Sequence, residues 1–453
     1  GSRSVDMREL ATFTVLGVVI LGLAAGLAIG GIEVHTVLIP LLVVFVSYAM
    51  GRLISWDEDR RFLAPMFAAG AVAKMLGSLA RHWILFAQYG GIGDAVGYHN
   101  RGLEMADVWR TGAVPPIPEG LTSLGTRFTG WVTGLVYVPY KPSLLGGFFL
   151  FGALALFGQF LFYAAYRRWA PQRTWFRYLA LILFWPTMVY WPSSIGKEAF
   201  LTLFIGLAAY GVSRLFKDYG FGWLIVFATG AGVVFVVREH VTALLVLSFL
   251  GTSLVMRTQP GTTGRRILLI GVLVAAMVPV AQGLTERFGV QFQDSVSAED
   301  FDGIRADLER STGQGGSAVT GGVITGPLDI PAGILKVLYR PLPNEATNSQ
   351  MLIASFEGTA LVLLTLWTSP RWLPMALKAR AHPYLLFSIV YSFGFVIAWS
   401  WILNLGILAR QRSLVVPFVL VLFAYGWMDR RPDLDTPLGA YGEDPVDLTP
   451  ARP

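Results

Sequence analysis

The sequence predicts an all-α, polytopic integral membrane protein, and three observations carry that prediction. Of the 453 residues, 54% are hydrophobic and only 14% are charged, whereas a soluble domain carries about a quarter of its residues as charges. The apolar residues come in blocks of about 18 to 24, the length that crosses a hydrocarbon core about 30 Å thick. Several blocks are apolar on every face, unlike the one-sided helices of a soluble core.

Taken in order, residues 1–6 read as a cloning scar before Met7, and 7–430 form the membrane domain. Spans are expected at 9–30, 34–54, 63–87, 143–166, 175–192 and 197–215, then at 222–237, 241–257, 267–283, 347–368, 383–402 and 413–428. That is about twelve crossings. With the N-terminus inside, the basic residues of the short loops all fall on one side. Examples are Arg60 and Arg61, Arg168 and Arg173, Arg265 and Arg266, and Arg430 with Arg431. Both termini are then cytoplasmic, and 431–453 form a cytoplasmic tail expected to be disordered. The absence of cysteine excludes disulfides and thiolate metal sites. The net charge of +6 lies mostly in these loops, so it marks topology and implies no nucleic-acid partner.

Two long segments, 88–142 and 284–346, are left on the extracytoplasmic side. Loops of this length are uncommon without a function. In the second, Ser297 and Asp300 have capping-box spacing ahead of Phe301, Ile304 and Leu308. A glycine-rich stretch follows from Gly313, and 330–339 suits a helix lying in the membrane interface with Lys336 as its one charge. The first segment offers helical stretches over 103–109 and 128–140.

Charges inside spans cost at least ~2.5 kcal/mol each and need a reason. Lys74 and Glu357 fall near mid-span at similar depth and are expected near each other, as an ion pair joining two helices. Arg81 lies seven residues beyond Lys74 on the same face, where its guanidinium can snorkel towards an outer cavity. Trp83, Trp185, Trp191, Trp399 and Trp401 sit near span ends and fit an aromatic belt.

The cations Lys197, Arg238, Arg340, Arg410 and Arg412 break the inside bias, each where a span meets the outer surface. His240 shares the Arg238 corner. Arginine matches phosphate geometry with two parallel hydrogen bonds. Taken singly, each cation is more simply a lipid-headgroup contact or a partner for Glu198, Glu239 or Glu345; taken together they point to a phosphate-bearing ligand. The run Gly91-Ile-Gly-Asp94-Ala-Val-Gly-Tyr98-His99 follows the third span. Asp94, partly desolvated there, can act as a general base; equally, it can cap a short helix.

The stretch Gly93-Asp94-Ala95-Val96-Gly97-Tyr98 resembles the acidic-x-x-x-Tyr pattern in the first outer loop of GT-C superfamily glycosyltransferases. It departs from that pattern in having two helices before the loop and Ala95 where a second acid is usual. The segments 191–198, 339–345 and 408–412 are similar to motifs of bacterial polysaccharide polymerase-type membrane proteins. Both resemblances imply transfer of a sugar from a polyprenyl-phosphate or polyprenyl-pyrophosphate donor to a glycan or glycolipid acceptor, on the outer face of the plasma membrane. They imply Asp94 as base, with Glu345 as the alternative. Arg410, Arg412, Arg340, Lys197, Arg238, Arg81 and His240 would serve the phosphate, and Tyr98 and His99 the acceptor. No metal or other cofactor is expected. The competing readings are a repeat-unit polymerase or ligase and a lipid-linked oligosaccharide flippase. A flippase would have charges lining its helices at all depths, which the one-sided polar motifs do not provide.

Overall fold

The computed structural model describes residues 34–116, 121–218, 220–257, 263–288, 319, 321–346 and 349–426. The first expected span, the Ser297 helix, the Gly313 stretch and the tail lie outside the described residues, as do residues 1–6. Within them the chain is helical and has no β-strand. The first helices are α1 (Val34–Ile54), α2 (Leu63–Tyr89), α3 (Asp94–Arg110), α4 (Leu121–Val136) and α5 (Leu144–Arg167). Next come α6 (Trp175–Phe184), α7 (Pro186–Tyr190), α8 (Lys197–Asp218), α9 (Phe221–Val237), α10 (Glu239–Val255) and α11 (Thr263–Phe288). After the second long segment follow α12 (Ile330–Ile334), α13 (Ser349–Thr368), α14 (Trp372–Lys378), α15 (Pro383–Trp399), α16 (Leu405–Gln411) and α17 (Val416–Gly426).

Among the described residues, five stretches are long and apolar enough to cross a membrane: Thr36–Ile54, Leu63–Tyr89, Leu144–Arg167, Lys197–Lys217 and Gln350–Ala381. A sixth arises if α16 and α17, bent by 67°, count as one broken span. Four other expected crossings, 175–192, 222–237, 241–257 and 383–402, are broken or short. Pro186 lacks the N–H that would continue α6, so the 175–192 block splits into α6 and α7. Helices α9, α10 and α15 have 17 residues each, about 26 Å at 1.5 Å per residue.

Helix α5 is the hub, packed on α2, α6 and α8. At its crossing with α8 two glycines face each other, and a methyl group at Gly158 would collide with the Thr202 carbonyl oxygen. At Gly206 it would meet the Gly158 backbone. Small residues let membrane helices approach closely without a hydrophobic drive. The main core gathers aromatic side chains from these helices, with Phe67 stacked on Phe160 at 3.6 Å and Tyr166 on Tyr178 at 4.0 Å.

Lys74 and Glu357 are both buried, and each bonds to a group other than the expected partner. Each is instead held by the broken segment between α6 and α8. Lys74 donates to the Met188 carbonyl, while Glu357 accepts from Trp185 Nε1 at 2.6 Å and from Thr187 Oγ1. A proline break exposes backbone and side-chain partners that an intact helix would hide. Trp185 is accordingly buried, not a belt residue, and so is Trp399; Trp83 is 66% exposed. The 330–339 helix also differs from expectation: Lys336 is buried and donates to the Ser400 carbonyl at 2.6 Å. Its single charge therefore pins the segment to the protein instead of facing water.

Candidate functional site

Helix α2 ends at Gly90, whose φ of 57° is followed by 79° at Gly91. Such left-handed backbone favours glycine. The Gly90 and Gly91 N–H groups bond back to Phe86 and Leu85 carbonyls at 3.2 and 2.9 Å. This turn sends the chain into α3, whose first residue is Asp94. The helix is capped by Gly93 with no side-chain capping bond, so Asp94 is not the cap. Its side chain is 73% exposed, which removes the expected partial desolvation.

Asp94 lies on the wall of a cavity of about 390 Å³, with Tyr98, Arg81, Glu198, Gln350 and Arg410. The walls come from distant parts of the chain. They are the end of α2, the starts of α3, α8 and α13, Phe148 of α5, the Trp191–Gly196 connection, and α16 from Asn404 before it to Arg410 near its end. Three helices of 17 to 22 residues thus turn their N-terminal ends to one cavity. Helix N-termini carry partial positive charge and favour anions.

Glu198 anchors the charged wall. Arg410 binds it with two parallel bonds, Nε to Oε1 at 2.7 Å and Nη2 to Oε2 at 2.8 Å. Arg238 Nη2 adds a third at 3.1 Å. The remaining nitrogen of Arg410, Nη1, stands 4.0 Å from Asp94 Oδ2. Also on the lining, Arg81 packs over the rings of Tyr190 and Trp191, 5.0 and 5.1 Å from their centres. Its Nη2 donates to Ser194 Oγ at 3.3 Å, and its buried Nε has no hydrogen-bond partner. Gln350 bridges two tyrosines, accepting from Tyr89 at 3.2 Å and donating to Tyr190 at 3.0 Å. Burial, then the Asp94 charge, raises the Tyr98 pKa, opposed by a Thr126 hydrogen bond and Arg410. Its hydroxyl stays a donor at neutral pH.

The cavity therefore collects Asp94, Tyr98, Arg81 and Arg410 of the residues singled out in the sequence. Arg238 reaches it through Glu198, and Lys197 turns aside to Thr126 Oγ1 at 2.8 Å. His99 is buried, its Nδ1 3.0 Å from Tyr137 Oη, and does not line the cavity. Burial lowers its pKa, which favours the neutral ring beside Tyr137. His240 packs beside Trp399, 5.3 Å between ring centres, away from the cavity lining.

Glu345 lies outside the cavity lining and is engaged by its neighbours. Arg340 Nε donates to its Oε1 at 2.7 Å and the Leu342 N–H to its Oε2 at 2.8 Å. Burial works against these bonds, yet they hold its carboxyl below the usual carboxylate range. Arg412 is fully buried, donates to the Arg340 carbonyl and faces Glu357 electrostatically. Neither Arg340 nor Arg412 lines the cavity.

Glu198, in the sequence a neutralising partner and part of the 191–198 segment, also lines the cavity, with Asn404 of the polar run 404–412 and Gln350, none of which the sequence marks as a site residue. Glu198 had a usable signal, an acid next to a lysine at a proline- and serine-rich corner. Gln350 had none, being one polar residue at the start of an apolar block. No protein-family model, curated protein or solved structure matches the chain.

Proposed function

We propose that this chain is a plasma-membrane glycosyltransferase of GT-C type. It takes a sugar from a polyprenyl-phosphate or polyprenyl-pyrophosphate donor and passes it to a glycan or glycolipid acceptor on the extracytoplasmic face. In this reading the chain crosses the membrane about twelve times, with short helices and the broken α16–α17 pair among the crossings. Both termini are cytoplasmic and the cavity opens outward. The observation that carries the reading is the meeting of an exposed carboxylate, Asp94, with Arg410 Nη1 at 4.0 Å in a cavity that Arg81 also lines.

Asp94 takes the proton of the acceptor hydroxyl, and that oxygen forms a bond to the anomeric carbon. The bond from this carbon to the phosphate oxygen breaks, and its electron pair leaves with the lipid phosphate. Arg410 Nη1, Arg81 and the helix N-termini face the charge that develops on the leaving oxygen, and preorganised groups of this kind stabilise it without reorganisation.

A second reading, a repeat-unit polymerase or ligase using a lipid-pyrophosphate-linked oligosaccharide, has its own support. The three segments similar to polymerase motifs touch one another. Arg410 binds Glu198, linking 408–412 to 191–198, and Arg412 donates to the Arg340 carbonyl of 339–345. The test is to incubate purified protein in lipid with radiolabelled polyprenyl-linked single sugars and oligosaccharides. Release of lipid phosphate with single-sugar transfer supports the first reading, and oligosaccharide transfer alone supports the second. No release from any donor contradicts both.

A further inference from the structure

Lys197 sits between two residues of the cavity lining, Gly196 and Glu198, yet is not one of them. Its ammonium leaves the cavity and donates to Thr126 Oγ1 of α4 at 2.8 Å. Thr126, exposed and likewise off the lining, in turn hydrogen-bonds the hydroxyl of Tyr98. Tyr98 does line the cavity and is otherwise buried. Side chains from α8, α4 and α3 thus form one line that ends at the cavity wall.

An ammonium has three donors and no acceptor, so the line has a direction. A hydroxyl that accepts from a cation becomes a stronger donor and a poorer acceptor towards the next group. Thr126 therefore gives its proton to the Tyr98 oxygen. The Asp94 charge, four residues back on the same face of α3, draws the proton of Tyr98 the other way. Tyr98 is left with a proton to give and an oxygen already engaged. Such a group suits a ligand oxygen that carries no proton, and Arg410 on the same lining suits one that carries charge.

We propose that Tyr98 donates to a phosphate oxygen of the lipid-linked ligand, and that Lys197 and Thr126 are positioning residues that hold it as a donor without touching the ligand. This rests on the glycosyltransferase reading above, and it takes Lys197 off the phosphate itself.

The test is a pair of double-mutant cycles, read as the Kd of farnesyl phosphate for full-length protein in detergent, by calorimetry. Salt at about 0.5 M shortens the Debye length to roughly 4 Å, so a charge counts mainly through its contacts. Tyr98→Phe should raise the Kd about tenfold, the worth of one hydrogen bond to a charged group. Thr126→Val, which keeps every charge, should raise it about threefold, a fraction of that bond. Thr126→Ser restores the hydroxyl and should rescue that loss. In the Tyr98→Phe background neither Thr126→Val nor Lys197→Met should raise the Kd further, because the group they act through is gone.

An unchanged Kd for Tyr98→Phe, or losses that simply add in either cycle, overturns the inference and leaves the glycosyltransferase reading standing. If Tyr98→Phe does not fold, the exposed Thr126 decides: equal binding by Thr126→Val and Thr126→Ser is then the contradicting result. If wild-type protein does not bind farnesyl phosphate, the phosphate-bearing ligand is lost, and with it both that reading and this inference.

Discussion

Both ends of the helix assembly set an arginine against a buried carboxylate, yet they close the pair differently. At the end away from the cavity, Arg167 meets Asp59 at 2.7 Å, with side-chain exposures of 8% and 0%. Asp59 also accepts from the Trp56 N–H at 2.7 Å and from Tyr163 Oη at 3.0 Å. Arg167 spends its Nη2 on the Ile54 carbonyl at 3.0 Å and lies 4.1 Å from the Trp56 ring centre. That cluster is saturated and sealed. At the cavity end, Arg410 is 34% exposed at its side chain and keeps Nη1 turned to an open wall beside an exposed Asp94. Two pairs of like chemistry thus differ in what they leave over: the sealed pair leaves nothing for a ligand, and the open one leaves a nitrogen and a second carboxylate.

That contrast is broken most sharply at the two aspartates. Asp94→Asn should lower sugar transfer by about 10²–10⁴-fold, the usual worth of a general base, with the unfolding midpoint unchanged because the side chain is exposed. Asp59→Asn should do the reverse. It leaves Arg167 buried beside a neutral group and costs about 3–5 kcal/mol of stability, read as a lowered thermal midpoint in detergent. Transfer per folded molecule should be kept. If the two variants lose activity and stability in parallel, the ends do not differ in kind.

Arg81→Gln tests the second arginine of the lining with a smaller effect. It removes a charge whose Nε is unpartnered, and should weaken farnesyl phosphate binding by about tenfold. The smallest effect is expected at Glu345, which the structure keeps out of the cavity. Its carboxyl is held below the ordinary value near 4.3. It therefore contributes stability that is fully present above that value and lost as pH falls through the lower folded one. Glu345→Gln should flatten that acid-side loss in a melting series and leave transfer within about twofold.

Much of this fold was legible because its cause is local. Apolar blocks announce helices, and the glycine pair before Asp94 announces the turn that starts α3. The site was legible in part. Asp94, Tyr98, Arg81 and Arg410 stood out as polar groups at span ends, where charge is costly. What the sequence hid are pairings between distant segments. Pairing of the outer cations with Glu198 and Glu345 is one reading the sequence offers, and Arg238, Arg340 and Arg410 bear it out, but nothing near Arg410 singles out Glu198, 212 residues earlier, as the group on its strong edge. Nor does anything local show that Arg412, only two residues on, turns inward to Arg340. The break at Pro186 likewise gave Lys74 and Glu357 separate partners, where depth alone had matched them to each other.

The most direct test of the open-cavity claim is the turnover of Asp94→Asn against wild type, with a radiolabelled polyprenyl-linked sugar at saturating concentration. The expected result is transfer by wild type and a fall of at least about 10²-fold in a variant that melts like wild type. Full transfer by Asp94→Asn, from the donor that wild type uses, would contradict Asp94 as the base of this cavity.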